Sequence, residues 1–242
     1  MALSAHTARL IQLLHRAGAL QFGSFTLKSG RVSPYFFNAA RFDTGPWLAE
    51  LAEHYARAIR AAAPQATIVF GPAYKGVPLS VAAAIALSRS RRAVGYLFNR
   101  KEEKTHGDRG RFVGRAPGHG DRIVLVDDVM TDGGTKREAV AMLREAFPGT
   151  PLDALVIAFD RQEQDMQGGD AIVRFREDTG IPVRALLTLN DLIAALTRKP
   201  GRRAAPRPEL RGLPQLVPAQ QQALREYRAR YGVEAAPVRR PR

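Results

Sequence analysis

Cysteine is missing from this chain, which excludes disulfides, thiolate catalysis and any zinc site built on sulfur. Aromatic residues are few, at 7%, and the 45% hydrophobic content rests mainly on Ala, Val and Leu. That balance fits α/β layering better than a β-sandwich. No stretch approaches the roughly 18 continuous apolar residues of a membrane span. The opening MALSAHTARLIQLLHRAG lacks the apolar run and small-residue cleavage site of a signal peptide. It reads instead as an amphipathic helix with Leu3, Thr7, Leu10 and Leu14 on one stripe. A cytoplasmic protein with no membrane partner is expected.

Lysine is scarce as well, with 6 Lys (28, 75, 101, 104, 136 and 199) against 31 Arg. A composition so biased toward Arg keeps Lys where a compact point charge is needed. Acidic residues fall short of basic ones and leave a formal charge of +14, but the excess is not spread evenly. Residues 198–242 carry 12 basic and 3 acidic residues, a net of +9, and the 197 residues before them carry only +5. The surplus therefore sits in a Pro- and Arg-rich tail rather than on a domain-wide face. With no helix-turn-helix or zinc-finger spacing, nucleic acid is not an expected partner.

A chain of 242 residues has room for one core and a short appendage. Gly18 is a plausible stop for the first helix, and residues 21–28 and 34–39 look like two short strands joined by the Ser29–Gly30–Arg31 turn. Pro46 opens a helix with Leu48, Leu51, Ala52, Tyr55 and Ile59 at helical spacing. Strands at 66–70, 93–98, 122–128, 152–160 and 181–189 then alternate with helices at 77–88, 135–146 and 168–179, with a polar loop from Asn99 to Gly110. Continuous apolar strands separated by helices predict a parallel sheet covered on both faces. Residues 199–217 read as a linker, 218–231 as a short helix, and the basic end as disordered.

The chemistry concentrates in residues 123–135, IVLVDDVMTDGGT. An apolar run ends in Asp127 and Asp128, at what would be the carboxyl edge of a parallel sheet, where ligands bind. Paired carboxylates there can accept from vicinal hydroxyls or face a divalent cation. Gly133 and Gly134 permit close backbone approach, and free N–H groups at a helix start can cradle a phosphate, with Thr131 and Thr135 adding hydroxyls. Taken as dipeptides, Asp-Asp and Gly-Gly are an ordinary strand end and turn; the whole order is more specific. It has neither the Lys of a P-loop nor the Gly-x-Gly spacing of a dinucleotide fingerprint. Asp132 is unexpected beside a bound phosphate. A second signal is the Asn99–Gly110 stretch, where Arg100, Lys101, Lys104 and His106 stand among Glu102, Glu103 and Asp108. Such mixed charge fits a solvated loop, and also a cationic lid over a bound anion.

Residues 123–135 resemble the diphosphate-ribose signature of the type I phosphoribosyltransferases. FTLKSGRVSPYFFN (25–38), FGPAYKGVPL (70–79), FNRKEEKTHGDRG (98–110) and DRQE (160–163) narrow the resemblance to orotate phosphoribosyltransferases. The match runs from the first helix to about residue 198 and extends to REYRARYGV (225–233), and Asp132, Gly134 and Arg109 depart from the pattern. The resemblance implies an α/β parallel-sheet catalytic domain over 1–198, with an N-terminal hood at 1–45 and a short C-terminal helical extension. It implies a homodimer with shared active sites, and Mg2+ held through donor oxygens and water rather than by direct protein ligands. The implied donor contacts are Asp127 and Asp128 on the ribose hydroxyls, and Val129, Met130, Thr131, Asp132, Gly133, Gly134 and Thr135 around the 5-phosphate. Lys28, Tyr74, Lys75, Arg100, Lys101, Lys104 and His106 would lie on the diphosphate. Phe36, Phe37, Thr131 and Arg161 would hold orotate. The catalytic set is Lys104, His106, Asp127 and Asp128. The alternatives are transfer to another nucleobase, or a non-catalytic regulator that senses the donor and binds nucleic acid, which would not need the lid.

Overall fold

A computed structural model describes residues 4–27, 29–90, 93–104, 110–165, 167–197 and 216–233, without the side chains of Glu103 and Lys104. The chain begins with α1 (Ala5–Arg16), capped by the Ser4 hydroxyl on the Thr7 N–H. Gly18, at φ +67°, turns it into an antiparallel hairpin of β1 (Leu20–Thr26) and β2 (Val32–Phe37). This hairpin is a separate two-stranded sheet, within the region expected as a hood. α2 (Gly45–Ala62) carries Pro46 in its first turn, as its fixed φ favours.

The main sheet has six strands: β3 (Ile68–Phe70), β4 (Gly95–Lys104), β5 (Gly110–Gly114), β6 (Ile123–Val129), β7 (Leu152–Asp160) and β8 (Val183–Thr188). Their order is β5-β4-β3-β6-β7-β8, parallel throughout except for β5, which runs antiparallel at the edge. Between them lie α3 (Gly76–Ser88), α4 (Gly134–Ala146) and α5 (Ala171–Thr179); α6 (Leu189–Leu196) and α7 (Pro218–Tyr231) follow. The polar stretch expected as a loop from Asn99 onward is instead strand as far as Lys104. Its backbone groups pair with β5, and the charged side chains of Lys101 and Glu102 stand in solvent beyond the ladder. An edge hairpin tolerates charge that a central strand could not.

Strand alternation divides the interior in two. Val124 and Val126 of β6 belong to the core that α1, α2, α3, α6 and α7 share, while Ile123 and Leu125 belong to the core shared by α4 and α5. Helices thus cover both faces of the sheet.

Candidate active site

The chain leaves β3 toward β4 in one direction and, after β6, proceeds through β7 and β8 in the other. The carboxyl ends of β3 and β6 therefore flank the topological switch point, where an open α/β sheet forms its crevice. From the β3 side comes Gly71–Gly76. A β-carbon on Gly71 would lie 1.9 Å from the Gly76 carbonyl oxygen, so the loop folds back on itself only because both positions are glycine. That fold-back aims Lys75 across the crevice, where its Nζ stands 2.7 Å from Asp128 Oδ2. Tyr74, which follows a cis peptide bond, is 70% exposed beside it.

From the β6 side come the two carboxylates, both buried. Asp127 lies on the α4 side of the strand, where Lys136 in the first turn of α4 holds its Oδ2 at 2.7 Å. Asp128 lies on the α3 side and meets Lys75. The remaining oxygens accept from backbone, Asp127 Oδ1 from the Asp128 N–H (2.9 Å) and Asp128 Oδ1 from the Val129 N–H (2.8 Å). Tyr55 of α2 donates to the Asp127 carbonyl at 2.8 Å. Burial pushes the Asp127 carboxyl above its ordinary range, opposed by Lys136, while Asp128 beside it adds to the rise. Burial and then the negative charges of Asp127 and Asp128 raise the Tyr55 phenol well above its usual value, so its hydroxyl stays a donor.

Beyond the acids, Val129 packs against the core, and the buried Met130 side chain anchors the loop in the α4–α5 core while Thr131 and Thr135 remain exposed. Gly133 takes φ +78° and starts α4. Asp132 turns its Oδ1 onto the Gly134 N–H at 3.0 Å, capping the helix start, and its carbonyl accepts from Arg137 Nη2 at 2.9 Å. Its carboxylate occupies one of the amides that the sequence offers to a phosphate.

Beside Lys75 opens a cleft of about 520 Å³ lined by Tyr74, Val77, Phe98, Arg100, Lys101 and neighbouring residues. Lys101 Nζ lies 4.9 Å from the Tyr74 ring centroid, and Arg100 Nη1 donates to the carbonyls of Gly110 (3.0 Å) and Phe112 (3.3 Å) on β5. Lys104 closes β4 opposite Gly110, but its side chain, like all of Lys28, His106 and Arg109, lies outside the described residues.

Of the residues expected to hold the acceptor, Phe37 and Arg161 are joined through Phe159 and Tyr35, whereas Phe36 faces the other side of its strand and Thr131 stands exposed in the loop after β6. Phe37 packs on Phe159 (centroids 5.5 Å apart), whose strand position pairs with Val129, while the half-exposed Phe36 stacks on Phe25 at 5.5 Å. Adjacent strand residues thus divide as their geometry requires, one inward and one outward. Arg161 follows β7; its Nε donates to Glu163 Oε1 at 3.0 Å and its guanidinium lies over Tyr35. Burial works against the Arg161 charge, but Tyr35 and Glu163 outweigh it and raise its pKa. Lys136, Tyr55, Tyr35 and Glu163 were not singled out by the sequence. Lys136 had a signal, as one of only six lysines and one place past the motif.

Residues 40–167 match the phosphoribosyl transferase domain family. The orotate phosphoribosyltransferase of Stenotrophomonas maltophilia is 45% identical over 235 residues, covering 96% of this chain and 99% of that protein. That of Cellvibrio japonicus is 46% identical over 225 residues, covering 93% and 96%. The crystal structure of the Francisella tularensis orotate phosphoribosyltransferase matches with a TM-score of 0.76 at 33% identity, over 93% of this chain and all of that one. With the acid pair and its glycine turn at the sheet's switch point, these likenesses show that the chain belongs to the orotate phosphoribosyltransferase family.

Proposed function

We propose that this enzyme transfers the phosphoribosyl group from 5-phosphoribosyl-1-diphosphate to orotate, giving orotidine 5′-phosphate and diphosphate for pyrimidine synthesis. The bond from ribose C1 to the diphosphate oxygen breaks with its electron pair going to diphosphate, and a bond from C1 to the orotate ring nitrogen forms as that nitrogen releases its proton to solvent. The observation that carries the donor half is the Asp127–Asp128 pair, held by lysines from both sides, directly before the Gly133 turn. Asp128 offers the ribose hydroxyls an acceptor when Lys75 swings toward diphosphate, and the amides from Thr131 to Thr135 receive the 5-phosphate once Asp132 withdraws. Tyr74, Arg100 and Lys101 bring positive charge and a ring face to the diphosphate side, the role the family resemblance also assigns to Lys28, Lys104 and His106. Cations near the leaving group stabilise the charge that grows in the transition state. Phe36, Phe37, Thr131 and Arg161 receive the orotate ring and carboxylate.

Magnesium belongs to the same proposal. The described residues contain no group of three or more His, Cys, Asp or Glu that could cage a metal, and both site carboxylates are engaged by lysine. The donor's diphosphate and hydroxyl oxygens with water would hold the ion, which neutralises the leaving group. A homodimer in the cytoplasm completes the reading. Among the described residues no helix is long and apolar enough to cross a membrane.

The test is the ultraviolet absorbance of orotate with enzyme, donor and magnesium, beside a panel of other nucleobases. Loss of orotate absorbance that requires all three components is expected. No loss, or faster consumption of another base, overturns the assignment.

A further inference from the structure

The turn that carries Arg161 is held from the end of the chain, well beyond the matched domain. Gln162, between Arg161 and Glu163, is buried at φ +50°, a conformation that a β-carbon disfavours. Three hydrogen bonds hold it there. Its N–H donates to Asp160 Oδ1 (2.8 Å), its Oε1 accepts from the Asn190 N–H (2.9 Å), and its carbonyl accepts from the Val233 N–H (2.9 Å). The last comes from just past α7. The same end of the chain continues the clamp, with Gly232 bridging Glu163 and the Gln164 N–H donating to the Tyr231 carbonyl at 2.8 Å.

The clamp also reaches the hood. Arg31 lies over the Tyr231 ring, 4.9 Å from its centroid, and donates to the Gln164 carbonyl at 2.6 Å. Tyr227 of α7 stands edge-on to Tyr35 of β2 at 6.1 Å. Tyr35 in turn donates to Glu163 Oε1 at 2.7 Å, the oxygen that accepts from Arg161. One carboxylate thus joins the strand of Phe36 and Phe37, the Arg161 guanidinium and the turn that α7 grips. Among the described residues, the hydrogen bonds that residues 218–233 make to distant parts of the chain reach Gln162, Gln164 and Asn190, around the turn that carries Arg161.

We infer that α7 and residues 232–233 brace the acceptor pocket, fixing where Arg161 points, with Glu163 as the positioning residue that links brace to guanidinium. The inference rests on the reading of Arg161 as an orotate-binding residue. Its test uses full-length Glu163→Gln, which keeps the shape of the side chain and removes its charge, and Tyr227→Leu, which removes the edge contact on Tyr35. Each is expected to raise the orotate KM about tenfold while the donor KM stays within about twofold; a general loosening of the fold would move both together. Amide hydrogen exchange at 162–165 should quicken in Tyr227→Leu whether or not the enzyme turns over. An unchanged orotate KM in Glu163→Gln, a parallel rise in both KM values, or unchanged exchange overturns the brace. A wild-type enzyme inactive on orotate refutes the proposed function instead, and the exchange measurement still decides the brace.

Discussion

Lys75 and Lys136 each hold one of two neighbouring carboxylates at 2.7 Å, yet their side chains are 61% and 13% exposed. An exposed cation on a buried acid can leave; a buried one that leaves strands a charge. Lys136 also stands in the first turn of α4, where the helix dipole disfavours a cation, so Asp127 is what keeps it there. Lys136→Met should therefore cost about 3–5 kcal/mol, the usual penalty for breaking a buried pair. Lys75→Met also leaves a buried acid without its cation, but water already reaches the exposed ammonium and can replace it, so a smaller loss is expected, with a raised donor KM as the main effect. Urea denaturation beside steady-state kinetics separates the two, and equal stability losses would remove the distinction. The place of the acid pair at the end of β6 was legible in the sequence, because an apolar run that ends in two aspartates marks where a buried strand stops. The pair's lysines were harder to see. Lys136 sits outside the loop motif, and only strand alternation shows which acid it serves. Asp132 was unexplained by sequence, and its capping of the Gly134 amide supplies a local reason.

At the scale of elements, the turn between β3 and α3 depends on two close-packed glycines. Gly71→Ala would force a β-carbon against the Gly76 carbonyl, and no flexible side chain is there to yield. Loss of about 3 kcal/mol or more is expected by analogy with other severe steric conflicts, visible as a lower melting temperature by circular dichroism together with weaker donor binding as Lys75 is displaced. A Gly71→Ala enzyme with normal melting and normal donor KM would contradict the fold-back. The alternation of strands and helices was readable because central strands are buried on both faces and so are continuously apolar. The β4–β5 hairpin was not. At the sheet edge its far end is solvated, and Arg100, Lys101, Glu102, Glu103 and Lys104 hide a strand behind loop-like composition. The sequence suggested helix α7, whose 218–231 bounds held, but contacts between residues 31, 164 and 231 join positions too far apart in the chain for any local pattern to reveal.

For the molecule as a whole, acid should loosen the α1–α2 layer. His54 of α2 is buried with its Nδ1 3.1 Å from His6 Nε2 of α1. Burial, then His6, Arg57 and Arg9, lower the His54 pKa to about 4. The unfolded chain protonates this imidazole near its ordinary pKa of about 6.5, but the folded chain resists until about 4. His54 therefore takes nothing from stability above pH 6.5 and increasingly more as pH falls through that window. A loss of about 2 kcal/mol between pH 7 and pH 5 is expected from this one group. His54→Gln should flatten the profile in urea titrations; a wild-type profile already flat over that range would refute the account.

The alternation of β6 carries one more consequence. Because Asp127 and Asp128 are neighbours on a strand, each looks toward a different layer of helices, and each finds its own lysine there. Inserting or deleting a single residue upstream in that strand would hand both acids to the wrong layer at once. A homologue that keeps this arrangement is therefore expected to keep the length of β6 as well.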